Sequence, residues 1–221
     1  MLGLKHGIDR QKIVDNVFSG YASIGNDQTV GPANPFFNTT LKPKKYDPDR
    51  ARFHFKKAGI SGPFELQVSD GAYTGATDSG VIFQESVKAA GAEISLKRVS
   101  GDGYWDNVWL KVPFCSVYWG NRPTADLQLS LQFLSDSAWN DTRFKNAKLD
   151  KLIVDARVEL NQKKRYELYG EAQRVISEEA GMICFAVGDQ MDGASTKLRG
   201  LSPHPRYELN DLRIAEKGWF A

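Results

Sequence analysis

Two short stretches concentrate the side chains best suited to holding a small molecule: Tyr118-Trp119-Gly120-Asn121-Arg122-Pro123-Thr124-Ala125-Asp126, and shortly afterwards Ser137-Ala138-Trp139-Asn140-Asp141-Thr142. Arg122 offers a planar fork that can hold a carboxylate through two parallel hydrogen bonds. Its structural alternative is an ion pair, for example with Asp126. Trp119 and Trp139 can stack on ligand faces, because rigid aromatics give much contact area at small entropic cost; packing into a core is the other use of such rings. Asn121 and Asn140 carry both donor and acceptor and suit recognition of a peptide backbone, while a turn-forming role is open to either. The expected ligand contacts are therefore Trp119, Asn121, Arg122, Asp126, Trp139 and Asn140.

Catalytic chemistry finds no comparable pattern. His6, His54 and His204 are isolated in sequence and have no partner at metal-ligand spacing, so neither a metal nor a cofactor is expected. No Gly-x-Ser-x-Gly elbow, phosphate-binding loop or Gly-x-Gly-x-x-Gly fingerprint is present, and no catalytic residue is expected. Cys115 and Cys184 lie in apolar runs and read as buried free thiols. A hydrolase built on Cys115 is a weaker alternative.

With 29 basic against 27 acidic residues the formal charge is only +2, and no basic tract offers a footprint for nucleic acid. The apolar share of 41% suffices for a globular core. No apolar run approaches the roughly 20 residues of a membrane helix, and the first residues do not read as an export signal.

The elements that must position these side chains alternate between helical and strand patterns, which predicts an α/β fold. Asp9 is placed to cap a helix ending near Gly20, and Asp47-Pro48 to start one ending at Gly59. Between them, Gly25 to Lys45 reads as a long ordered loop. Phe64, Leu66 and Val68 alternate as a strand, a helix follows to Gly91, and Ile94, Leu96 and Arg98 alternate again: a βαβ unit with parallel strands. A short helix over 104–110, a strand over 114–119 and helices near 147–159 and 162–179 complete the main body. Strands are expected again over 182–187 and 211–215, which places a domain boundary between 1–180 and 181–221.

The order of these pieces carries a resemblance. A Gly-Ile-Asp-Arg helix start comes first (Gly7 to Arg10), then Tyr46-Asp47-Pro48-Asp49-Arg50-Ala51, and then a βαβ unit with Ala-Ala-Gly before its second strand. The cleft stretch, Leu149-Asp150-Lys151-Leu152-Ile153 and Arg165-Tyr166-Glu167-Leu168-Tyr169-Gly170-Glu171-Ala172-Gln173 follow. Together they resemble the dipeptide/oligopeptide-binding class (family 5) of extracytoplasmic solute-binding proteins that serve ABC importers. The resemblance implies the C-terminal lobe of a two-lobe periplasmic binding protein, with the N-terminal lobe outside this sequence and residues 181–221 as strands returning to it. It further implies a peptide or other small solute as ligand, an ABC permease as partner and a periplasmic location. Family members that hold a free peptide amino terminus often carry an acidic residue where Trp119 and Gly120 stand here. For a lobe alone, weak binding is expected, and its exposed lobe-facing surface could pair with a second copy.

Overall fold

The computed structural model describes residues 1–205 and 207–221. The chain opens with α1 (Leu2–Gly7), which the sequence pattern did not announce, since two of its six residues are glycines. Those glycines are the reason it packs: a Cβ on Gly3 would lie 2.7 Å from the Phe55 ring, and one on Gly7 would lie 2.9 Å from Val87. Helix α2 (Arg10–Val17) follows, with the Asp9 side chain accepting from the Lys12 amide as expected of a cap. After β1 (Ala22–Ile24), the loop to residue 46 has no regular element.

Helix α3 (Pro48–Ala58) is capped by Asp47 on the Arg50 amide and stopped by Gly59, whose φ of 67° is the left-handed region that glycine enters without a Cβ clash. The βαβ unit forms as expected: β2 (Phe64–Val68), α4 (Ala76–Lys88) and β3 (Ile94–Arg98), with β2 and β3 parallel in the register Phe64 to Ile94. The expected strand over 114–119 is not a strand. It contributes one parallel bridge, Gln67 to Cys115. Pro113 has no amide to donate, and the Ser116 carbonyl accepts from the Tyr104 hydroxyl at 2.7 Å, so the ladder stops where it begins.

Helices α5 (Tyr104–Asn107), α6 (Ala125–Phe133), α7 (Ala147–Val158) and α8 (Gln162–Glu179) follow. Of these α6 was not expected; it starts at Thr124, whose hydroxyl accepts from the Leu127 amide. The final region holds β4 (Ala186–Gly188), β5 (Leu198–Arg199), α9 (Glu208–Leu212), α10 (Ile214–Lys217) and β6 (Trp219–Phe220). The strand expected over 182–187 is thus confined to its end, where β4 pairs antiparallel with β1. The strand expected over 211–215 does not form: Leu209 to Leu212 take left-handed φ values of 51° to 62°, and Ile214–Lys217 is α10. Asn210 turns the chain there by donating to the Gly200 carbonyl and accepting from the Ser202 amide, and two apolar residues, Leu212 and Ile214, are too few to impose a strand period.

Apolar burial gathers in two main cores. One joins α1 to α4, β2 and β3 through Ile8, Ile13, Phe55, Val68, Phe83, Val87 and Ile94. The other joins α6, α7 and α8 through Leu129, Phe133, Leu149, Ile153, Val175 and Ile176. Each such large side chain contributes about 1.5–3 kcal/mol when removed from water. Ile183 and Phe185 pack on the first core and Met182 on the second, so residues after 181 begin against the main body.

A charged knot links the two cores. The fully buried Lys5 ammonium donates to the Ser177 and Ala180 carbonyls at the end of α8, at 2.7 and 3.0 Å. Asp27, also fully buried, accepts from Arg10 at 2.8 Å and faces Lys44 at 3.4 Å. Burial lowers Lys5 to a pKa of about 8, while Asp27 opposes that shift. His6 and His54, isolated in sequence, stack with ring centroids 5.9 Å apart.

Candidate functional site

The bridge between Gln67 and Cys115 fixes where the aromatic stretch emerges. Because the pairing is parallel, residues 117–119 run past the end of β2 at Val68, and α5 rises from the same end of β3. Open α/β sheets bind ligands beyond the carboxyl ends of their strands. At this edge the rings of Trp105, Trp109, Tyr118, Trp119 and Trp139 form a continuous cluster. Trp105 meets Trp109 at 5.9 Å and Tyr118 at 5.6 Å, and Trp109 meets Trp119 at 6.4 Å and Trp139 at 5.9 Å. Trp119 and Trp139 close the set at 6.2 Å. Most of the contacts are edge to face, the arrangement favoured by ring quadrupoles, and Trp105, Tyr118 and Trp139 remain exposed.

Asp141 holds the cluster from one side. Its Oδ2 accepts from the indole nitrogens of Trp109 at 3.1 Å and Trp119 at 2.9 Å. Burial raises its carboxyl above the ordinary range, and the two indole donors oppose that rise. Arg122 stands at the other side, its guanidinium carbon 5.8 Å from the centre of the Trp119 ring, within cation–π range. Its amide donates to Gln128 Oε1, and Nη1 donates to the Gly120 carbonyl at 3.3 Å. Among the described residues no carboxylate pairs with Arg122.

The remaining sequence-derived candidates separate here. Asp126 does not pair with Arg122; it accepts from Arg157 Nε at 3.0 and 3.2 Å on the surface joining α6 to α7. Asn140 turns its amide inward, donating to the Leu134 and Phe144 carbonyls and accepting from the Thr142 hydroxyl, so it braces the loop that carries Trp139 and Asp141. Asn121 is exposed next to Arg122. The structure therefore brings Trp119, Asn121, Arg122 and Trp139 to one edge and leaves Asp126 and Asn140 in structural contacts. Trp105, Trp109 and Asp141 join the same edge and were not among the sequence candidates. Four of the chain's five tryptophans fall within 105–139, a density that could have indicated them.

Behind the cluster lies a cavity of about 130 Å³, lined by apolar groups including Leu66, Phe83, Phe114 and Phe185, and bounded by Trp109 and Asp141. Cys115 also lines it, and burial pushes that thiol's pKa up, opposite to what a nucleophile needs. Both cysteines are free, and burial raises Cys184 to about 12. Among the described residues no three His, Cys, Asp or Glu side chains gather as a metal site, and no helix is long and apolar enough to cross a membrane.

Residues 2–141 match the family described as bacterial extracellular solute-binding proteins, family 5 Middle. The chain belongs to that family. Over 217 residues it is 25% identical to the nickel-binding protein NikA of Staphylococcus aureus, covering 91% of this chain and 42% of NikA. It is 24% identical over 212 residues to a dipeptide-binding protein of Pseudomonas aeruginosa, covering 91% of this chain and 39% of that protein. The family 5 chain thus spans about two fifths of the length of the curated relatives it matches. Its fold is similar to the periplasmic binding protein DppA from Helicobacter pylori in complex with the peptide STSA. That match has a TM-score of 0.80 and 19% identity over 99% of this chain and 43% of DppA. The substrate-binding protein CtaP from Listeria monocytogenes gives a TM-score of 0.77 at 20% identity, over 99% and 46%.

Proposed function

We propose that this chain is the C-terminal, ligand-facing lobe of an extracytoplasmic solute-binding protein in an ABC import system, and that the solute is peptide-like. The observation that carries the reading is the five-ring cluster with Arg122 at the carboxyl edge of the parallel strands. Exposed rings beside a cation without a carboxylate partner suit a ligand better than they suit solvent. Residues 181–221 are read as the segment that returns towards a second lobe, and an ABC permease as the partner that receives the solute. Closure of two lobes shifts an open and closed equilibrium by the ligand's differential affinity for the closed form. One lobe alone supplies part of the contacts, which is why this chain by itself should bind weakly.

Titration calorimetry of Trp119→Ala against wild type with a mixed di- and tripeptide library, in this chain and in any longer natural form of it, tests the reading. The expected result is heat of binding that falls at least tenfold in affinity in the variant. Unchanged affinity would move the binding surface elsewhere.

A second reading, self-association, is favoured by one observation: Trp219 and Phe220, the two residues of β6, are both exposed. Apolar side chains on an unprotected strand edge invite pairing with another chain.

A further inference from the structure

Whether the proposed solute would be held by a positive or a negative group is decided by charges already in the cluster. An aromatic cluster beside a carboxylate is, in general, an attractive seat for a cation. Here the ring face is occupied by a cation of the chain itself, and the carboxylate oxygen that touches the rings is already taken up by hydrogen bonds. The face of Trp119 has the Arg122 guanidinium 5.8 Å from its centre. Asp141 Oδ2, the carboxylate oxygen that touches the cluster, accepts two indole N–H groups, from Trp109 and Trp119. Asp126, the other acidic candidate in the stretch, is engaged by Arg157. An incoming ammonium would meet Arg122 as a like charge and find no free acceptor on Asp141 Oδ2.

Arg122, by contrast, has capacity to spare. Its side chain makes one long hydrogen bond, Nη1 to the Gly120 carbonyl at 3.3 Å, and the indole beneath it leaves the outer edge of the fork for a partner. From Trp119 the contacts run through Asp141 to the cavity of about 130 Å³, which Trp109 and Asp141 border. Its walls mix Leu66, Phe83, Phe114 and Phe185 with Ser79, Ser116, Thr142 and Asp141, and a wholly apolar cavity of roughly 150 Å³ accommodates one benzene ring. We infer that the site selects a small anionic solute: a carboxylate or similar acid on Arg122, one ring-sized or branched apolar group directed to the cavity beside Trp109, and no free ammonium near the acid. This rests on the solute-binding reading above and narrows it.

The test uses three related probes with indole fluorescence and calorimetry as readouts. N-acetylphenylalanine carries the acid without the ammonium, phenylalaninamide carries the ammonium without the acid, and N-acetylphenylalaninamide carries neither. The expected order is N-acetylphenylalanine tightest, by at least tenfold over both amides, with the preference erased in Arg122→Gln and little restored in Arg122→Lys, whose ammonium lacks the fork. Circular dichroism of the variants checks that they are folded. Equal or tighter binding of phenylalaninamide, or an acid preference that survives in a folded Arg122→Gln, would overturn the inference while leaving a solute-binding site in place. Failure of all three probes and of the peptide library to bind would overturn both the inference and the solute-binding reading.

Discussion

Asp27 and Asp141 are both removed from bulk water on irregular backbone, and their surroundings differ in kind. Asp27 meets full charges, Arg10 at 2.8 Å and Lys44 at 3.4 Å, with the buried Lys5 close enough to be affected by it. Asp141 meets the neutral dipoles of two indoles. The first arrangement locks distant parts of the chain together, since Lys5 and Lys44 both donate to the Ser177 carbonyl on α8. The second orients rings while adding no positive charge of its own. A carboxylate surrounded by cations makes a scaffold joint; one held by indoles fixes the orientation of the rings at a surface.

The contrast can be broken by one substitution at each site. Asp27→Asn keeps an acceptor but leaves Arg10, Lys5 and Lys44 without their shared counter-charge, and removal of one partner from a buried ionic group costs about 3–5 kcal/mol. Urea unfolding should show a loss of that size, and the Lys5 pKa should move further below 8, because the attraction that opposes its desolvation is gone. A loss under 1 kcal/mol would mean that the knot is not a joint. Asp141→Asn should cost only about 1 kcal/mol, since the amide oxygen still accepts from an indole and the desolvated charge disappears. A loss as large as that of Asp27→Asn would make Asp141 a structural joint of the same kind.

The smallest effect lies in the pH dependence of Asp141. The folded pKa of Asp141 lies above its unfolded value, so between the two the folded state binds more protons than the unfolded state. The stability this group contributes is fully present below about pH 4, the ordinary carboxylate range, and is lost as pH rises through the folded pKa. The advantage of wild type over Asp141→Asn should therefore be greatest in acid and shrink towards neutrality. Paired unfolding curves across that range would show it, and an advantage that grew with pH would contradict the assignment.

Much of the scaffold could be read from residue spacing because it rests on local rules. Asp9, Asp47 and Gly59 cap their helices as their types require, and the alternation in 64–68 and 94–98 yields the parallel pair. Misreadings arose where distant partners decide. Helix α1 depends on contacts from Phe55 and Val87 to two glycines, and the 114–119 segment is held from pairing further by a hydroxyl on Tyr104. In the candidate site, the gathering of Trp119, Asn121, Arg122 and Trp139 at one edge was legible from type and proximity in sequence. Asp141 was not, since its role depends on Trp109 and Trp119, 32 and 22 residues away. Asn140 shows the reverse, a polar residue whose amide is absorbed by its own loop.

The long loop before α3 has a further consequence. It forms no helix or strand over 25–46, yet Asn38 donates to the Gly170 carbonyl and its amide donates to Gln173, Gln173 donates to the Phe36 carbonyl, and Ser177 donates to the Asn26 carbonyl. These side-chain bonds fasten irregular backbone to one face of α8. Amide hydrogens such as that of Asn38 should then exchange with solvent only when α8 itself separates, at rates typical of the core rather than of a surface loop. Under the proposed two-lobe reading, this loop would travel with the helix as a single rigid part, leaving the flexing to other segments.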